Sequence, residues 1–184
     1  MSRAYRIKVK ESLKSTISAD DEAKCKLDII QVLPPEQMQQ MLEGALAEKG
    51  YIQDGKVMKK TLDNGMEVSI DTETGEVTVL VHDCEEVEVE KTKEGYGESR
   101  QDDQHLREQV KKELAQEVIA KEKKLQQEIT DKLEKELQGL KHELDQVVNR
   151  TTAEALKVKA KQLGQIKELT EDVEAGSMTI VVEV

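Results

Sequence analysis

The side chains best suited to chemistry lie together in His82-Asp83-Cys84-Glu85, with Cys25 as a further candidate from across a sheet. Imidazole, thiolate and carboxylate are ligands that zinc accepts, and a histidine beside a cysteine is also the pair that makes a nucleophilic thiolate. The spacing argues against both uses. On an extended strand His82 and Cys84 share one face while Asp83 and Glu85 take the other, and no close second cysteine completes four ligands. Both cysteines are expected instead to be buried free thiols on the apolar sides of alternating stretches, in a reducing compartment. Gly95-Tyr96-Gly97 lacks the third glycine of a dinucleotide turn, and the chain has no Walker A loop to cradle a phosphate. Glu85-Glu86 and Glu171-Asp172 have no flanking apolar pocket to raise a carboxyl pKa, and His105 and His142 read as polar filling on a helix. The expectation is no catalytic residue, no metal ligand and no cofactor, with an enzyme centred on Cys25, His82 and Cys84 as the alternative.

The elements that must position these groups are short. Residues 4–13 alternate as a strand, with Tyr5, Ile7, Val9 and Leu13 on one face and Arg6, Lys8 and Lys10 on the other. Residues 23–32 alternate again, so the acidic pair Asp20-Asp21 reads as a loop between two neighbouring strands. Leu33-Pro34-Pro35-Glu36 opens a helix whose apolar stripe is Met38, Met41, Leu42, Ala45 and Leu46, with Gly50 as its C-terminal cap. Turns follow at Asp54-Gly55 and Asp63-Asn64-Gly65, then a hairpin over 66–82 that reverses through Asp71-Thr72-Glu73-Thr74-Gly75. Residues 85–90 form another strand, and the polar, glycine-containing stretch after it reads as a linker.

From about Gln104 to Leu163 the chain has no proline and one glycine, Gly139, which predicts a helix far longer than usual. Its stripe is Leu106, Val110, Leu114, Val118, Leu125, Ile129, Leu133, Leu137, Leu140, Leu144 and Val147. These positions recur about every 3.7 residues, against 3.5 for a strict heptad, so the arm should be straight or slightly right-handed. A stripe of this length needs a partner surface, and the expectation is self-association or a partner protein docking on it. A break at Gly139 or at Asn149–Thr151 would fold the arm back. Neither place has a glycine-rich turn, so one continuous helix that carries the C-terminal hairpin far from the N-terminal sheet is expected.

Composition narrows the function classes. The net charge of −11 works against general binding of a phosphate backbone, and there is no Trp or Phe to stack on bases. The basic residues Arg3, Arg6, Lys8, Lys10 and Lys14 read as a sheet edge guarded by charge. No segment approaches a membrane span and the N-terminus lacks the apolar run of a signal peptide, so the cytoplasm is the expected setting.

The segment Asp172-Val173-Glu174-Ala175-Gly176-Ser177-Met178-Thr179-Ile180 echoes Asp71-Thr72-Glu73-Thr74-Gly75-Glu76-Val77-Thr78-Val79 at the same offsets, which suggests two helix-plus-hairpin units. The stretches Leu33-Pro34-Pro35-Glu36-Gln37-Met38, Asn149-Arg150-Thr151-Thr152-Ala153-Glu154-Ala155-Leu156 and Leu163-Gly164-Gln165-Ile166-Lys167-Glu168, with Gly176-Ser177-Met178-Thr179-Ile180, give the chain a further meaning. With them it resembles a small bacterial family that accompanies AAA+ ATPases of the FtsH or MoxR kind and von Willebrand A domain proteins in ternary gene systems. The resemblance spans nearly the whole chain, and its motifs are structural rather than catalytic. It implies an accessory component of an ATP-driven assembly, with the nucleotide chemistry done by a partner.

Together these readings predict an α+β chain with an N-terminal sheet-plus-helix domain over 1–95, a linker over 96–103, a coiled-coil-like helical arm over 104–163 and a C-terminal β-hairpin over 164–184. The expected role is a non-catalytic adaptor or scaffold that meets protein partners and copies of itself through the arm. A holdase-like chaperone that clamps clients on the stripe is a further alternative.

Overall fold

The computed structural model describes residues 5–97, 100–172 and 177–183. The order is β1 (Tyr5–Lys26), α1 (Pro35–Glu48), β2 (Ile52–Asp54), β3 (Val57–Thr61), β4 (Glu67–Asp71), β5 (Glu76–Gly97), α2 (Arg100–Leu163), β6 (Gln165–Asp172) and β7 (Ser177–Glu183). Five strands form one sheet in the order β1-β5-β4-β3-β2, and β6 and β7 form a second. The expected α+β class, the single long helix and the terminal hairpin are all present.

Two strands are much longer than their sequence suggested. The two separate strands at 4–13 and 23–32 are one, β1, and the expected loop at Asp20-Asp21 lies inside it. Those acids do not end the strand because each has a partner there. Asp20 Oδ1 is 2.7 Å from His82 Nδ1, the Asp20 carbonyl accepts from Gln126 Nε2 at 2.9 Å, and Thr130 Oγ1 donates to Asp21 Oδ2 at 2.7 Å. Residues 27–32 are irregular instead, held where Leu27 N donates to the Gly75 carbonyl at 2.8 Å. The strands expected at the end of 66–82 and at 85–90 are likewise one, β5. Val77, Val79, Val81, Val87 and Val89 are all buried and all of one parity, so the pleat runs through without a slip.

The chain divides into two compact units whose boundaries fall inside β1, β5 and α2. One unit comprises Met1–Asp21 and His82–Lys132. Cross-strand pairs Lys10–Glu90, Lys14–Glu88 and Asp20–His82 climb one strand and descend the other, so β1 and β5 are antiparallel. On their inner face Ile7, Val9 and Val89 enclose Val110 and Leu114 of α2, with Leu106 and Val118 at the margin. Of the linker expected over 96–103, Tyr96 and Gly97 end β5 and 100–103 begin α2, while 98–99 lie outside the described residues. Gly97 is the buried last residue of β5, where a Cβ would sit 2.5 Å from Ile7 Cδ1 and 2.7 Å from Asp102 Cβ. The Gly95-Tyr96-Gly97 run therefore serves close approach of strand and helix.

The second unit comprises Glu22–Val81 and Leu133–Val184. In it α1 begins at Pro35, where the missing donor is harmless, and buries Met38, Leu42, Ala45 and Leu46, as its stripe predicted. It ends where Gly50, at φ 87°, adopts the left-handed conformation expected of a cap. Strands β2, β3 and β4 are antiparallel neighbours, and β4 meets β5 with Ile70 opposite Val77. The turn between β4 and β5 is the one read from Asp71 to Gly75. The Asp71 carboxylate accepts from Glu73 N at 2.8 Å and Thr74 N at 2.9 Å, and Gly75 supplies a φ of 73°. Thr74 N first, and then Glu73 N, hold that carboxyl below the usual range.

Helix α2 is unbroken from Arg100 to Leu163. Gly139 sits on its exposed side, and at the other suspected break Thr151 faces the core while Thr152 Oγ1 returns its hydrogen to the Val148 carbonyl at 2.9 Å. The helix-plus-hairpin echo holds for pairing. Glu171 faces Met178 as Ile70 faces Val77, at equal offsets, while residues 173–176 of the second turn lie outside the described residues. The second helix of the echo is the last part of α2 and not a separate element.

Candidate interaction surface

The stripe expected to bind partners is the chain's own core. Val110, Leu114, Leu125, Ile129, Leu133, Leu140, Leu144 and Val147 are buried, and Leu106, Val118 and Leu137 are half-buried. In the first unit β1 and β5 cover it. In the second, Leu33 and Met38 enclose Ala155, with Ile29, Val32, Met41 and Val158 around them. Within the single chain, residues of β1 and β5 in the first unit and of α1 and the segment before it in the second thus lie against the stripe's helix. An exposed client clamp is not available on this face.

The thiols are also placed differently from expectation. Cys25 and Cys84 are both exposed. Cys84 shares the outer face of β5 with His82, as the alternation required, but that face meets solvent. Cys25 is the penultimate residue of β1, beside Lys24, Lys26, Thr74 and Glu76 in an open depression. Asp83 turns inward, half-buried, with its carboxylate 3.5 Å from Lys132 Nζ. Among the described residues no group of three or more His, Cys, Asp and Glu side chains has the geometry to hold a metal ion. His105 and His142 each lie against a glutamine one turn on, Gln109 at 2.8 Å and Gln146 at 2.9 Å.

The charged faces are organised by pairing. On the outer side of β1 and β5, Arg6 and Lys8 meet Glu94, Lys10 meets Glu90 at 2.8 Å, and Lys14 meets Glu88 at 3.4 Å. A hydrogen bond from Lys10 to Glu90 holds the ammonium above its ordinary pKa. On the inner side Lys93 and Lys91 both reach Glu113 of α2, at 2.8 and 3.0 Å, and keep its carboxyl below the usual range, Lys93 most strongly. Such exposed pairs add little stability individually and chiefly set register. Arg6, Lys8, Lys10 and Lys14 thus lie on an outermost strand, β1, while Arg3 lies outside the described residues.

Sequence reasoning gave no sign of the polar groups buried in the second unit. Lys60 Nζ donates to Glu143 Oε1 at 2.8 Å and lies 5.0 Å from the centre of the buried Tyr51 ring. The Tyr51 hydroxyl has no hydrogen-bond partner at normal geometry, and burial first, then the nearby Glu143 charge, push its pKa well above the ordinary value. Thr72, also buried, accepts from Gln39 Nε2 at 3.1 Å and lies 3.1 Å from Glu43 Oε1 and 3.0 Å from the Lys56 carbonyl oxygen. These contacts join residues far apart in sequence and leave no local pattern.

The molecule is therefore of the α+β class, with most of its apolar stripe buried within the chain and both of its cysteines at the surface. Residues 1–184 match the family described as FtsH ternary system domain X5, and the chain belongs to that family. Neither the comparison with curated proteins nor that with solved structures gave a match. The family description points to a component of a multiprotein system that includes FtsH. Among the described residues no helix is long and apolar enough to cross a membrane.

Proposed function

We propose that this chain is a non-catalytic assembly subunit of a cytoplasmic complex, holding an AAA+ ATPase of the FtsH kind together with a von Willebrand A domain protein. The observation that carries this reading is the family match along the full 184 residues. The surface is in keeping with it. His82, Cys84 and Cys25 lie open to solvent without an enclosing wall, whereas catalysis needs reacting groups fixed together in a pocket. Free cysteines accord with a reducing compartment. ATP hydrolysis in such a complex would belong to the partner.

The test is affinity capture of the tagged full chain from its native bacterial host, with the captured proteins identified by mass spectrometry. An FtsH-type ATPase should be retained, and a chain carrying Cys25→Ser and Cys84→Ser should retain it equally. Failure to capture any ATPase counts against the assembly role. Loss of capture in the double variant with the fold intact would turn attention to a thiol centre.

A further inference from the structure

Among the described residues the two open sheets end in four outer strands, β1, β2, β6 and β7, and an unguarded edge is a template for another strand. Three of them carry protection. β1 bears Arg6, Lys8, Lys10 and Lys14, β2 is three residues long, and β6 carries Lys167 and Glu168. β7 carries none. Its seven residues, Ser177 to Glu183, contain no proline, glycine or lysine, and the single charge, Glu183, is at the end and already paired with Lys167 at 2.8 Å. Met178, Ile180 and Val182 are half-buried along one face, and Val181 is 43% exposed on the other. None of the hairpin's described side chains is fully buried, and two strands alone make a marginal sheet.

We propose that β7 is a pairing edge whose occupant is β7 of a second copy of this chain, antiparallel about Ile180, so that two hairpins join in one four-stranded sheet. This goes beyond the assembly role and does not depend on it. In that register Met178 faces Val182, Ile180 faces its equivalent, Thr179 faces Val181, and Ser177 faces Glu183, so each face of the strand stays on its own side. Charge selects this arrangement. No two like charges oppose each other across β7, whereas β6 presents the charged Lys167 and Glu168 along its length.

The experiment uses the intact chain in analytical ultracentrifugation and hydrogen exchange. The natural sequence should associate reversibly, with β7 amides gaining protection as concentration rises. Thr179→Lys with Val181→Lys, both at exposed positions, should weaken association about tenfold or more by setting lysine against lysine. Mixing that variant with one carrying Thr179→Glu and Val181→Glu should restore pairing, because position 179 meets position 181 of the other copy. The proposal is overturned by a natural chain that stays monomeric at about 1 mM, by a lysine variant that associates unchanged, or by a mixture that does not pair. Should a variant lose its helical circular dichroism, exchange on the natural chain decides. Concentration-dependent protection at β7 supports the proposal, and its absence there refutes it.

Discussion

Tyr51 combines a buried ring with a hydroxyl that has no hydrogen-bond partner at normal geometry, close to the Lys60–Glu143 pair. The raised pKa has a definite consequence for stability. The group is neutral when protonated, and its folded pKa lies above the ordinary tyrosine value of about 10, so its contribution is complete below that value and is lost as pH rises beyond it. Tyr51→Phe should remove this alkaline sensitivity and leave the fold near neutrality almost unchanged. The check is the urea midpoint of both chains at about pH 8 and about pH 11. The natural chain should lose more between the two than the variant, and equal losses would count against the assignment. Single residues were the least legible scale in the sequence. The pleat put His82 and Cys84 on one face correctly, but an alternating pattern names two faces without saying which is covered, and both thiols proved to be outside.

Helix α2 was legible in extent and illegible in purpose. The absence of proline over its whole length and the regular return of apolar residues fixed it as one helix, and glycine at 139 was tolerated on an open face. The spacing near 3.7 also held the hint that the stripe was not a heptad seam, because a helix lying on a sheet has no need of supercoiling. What concealed the covering surface was the charge of β1 and β5. Their acidic and basic residues look like loop and linker in one dimension and become cross-strand pairs in three. A stripe that is core and not interface should behave as core when changed. Ile129→Ala should lower Tm by roughly 5–15 °C, and Ile129→Glu should prevent folding. A Glu variant with the natural Tm would restore the docking reading. Two glycines test the helix and its junction in opposite directions. Gly139 has nothing within 4 Å of a built Cβ, so Gly139→Ala should stabilise by about 1 kcal/mol. Gly97→Ala should destabilise by about 1–3 kcal/mol, because the added carbon meets Ile7 and Asp102. Chemical denaturation of both variants reads the two signs directly.

At the scale of the whole chain the hairpin β6–β7 forms a second, two-stranded sheet of its own. Each of the two units has an apolar cluster that includes α2, the last of them closing around Ala155 and Val158, and neither cluster contains a residue beyond Leu163. The repeated Asp-x-Glu-x-Gly pattern announced this second hairpin, and its register follows the first. Yet the first copy is flanked by strands on both sides while the second ends as a pair. The chain thus carries an element whose sequence is conditioned for a sheet and whose own sheet is too small to bury it. Ending the chain after Leu163 should therefore cost the remainder little, a change in Tm within about 2 °C. The same truncation should abolish the self-association expected of β7. Scanning calorimetry and ultracentrifugation on the shortened chain separate the outcomes. A large fall in Tm would mean that the hairpin stabilises the rest of the chain, and an unchanged Tm with association retained would place the contact between copies elsewhere.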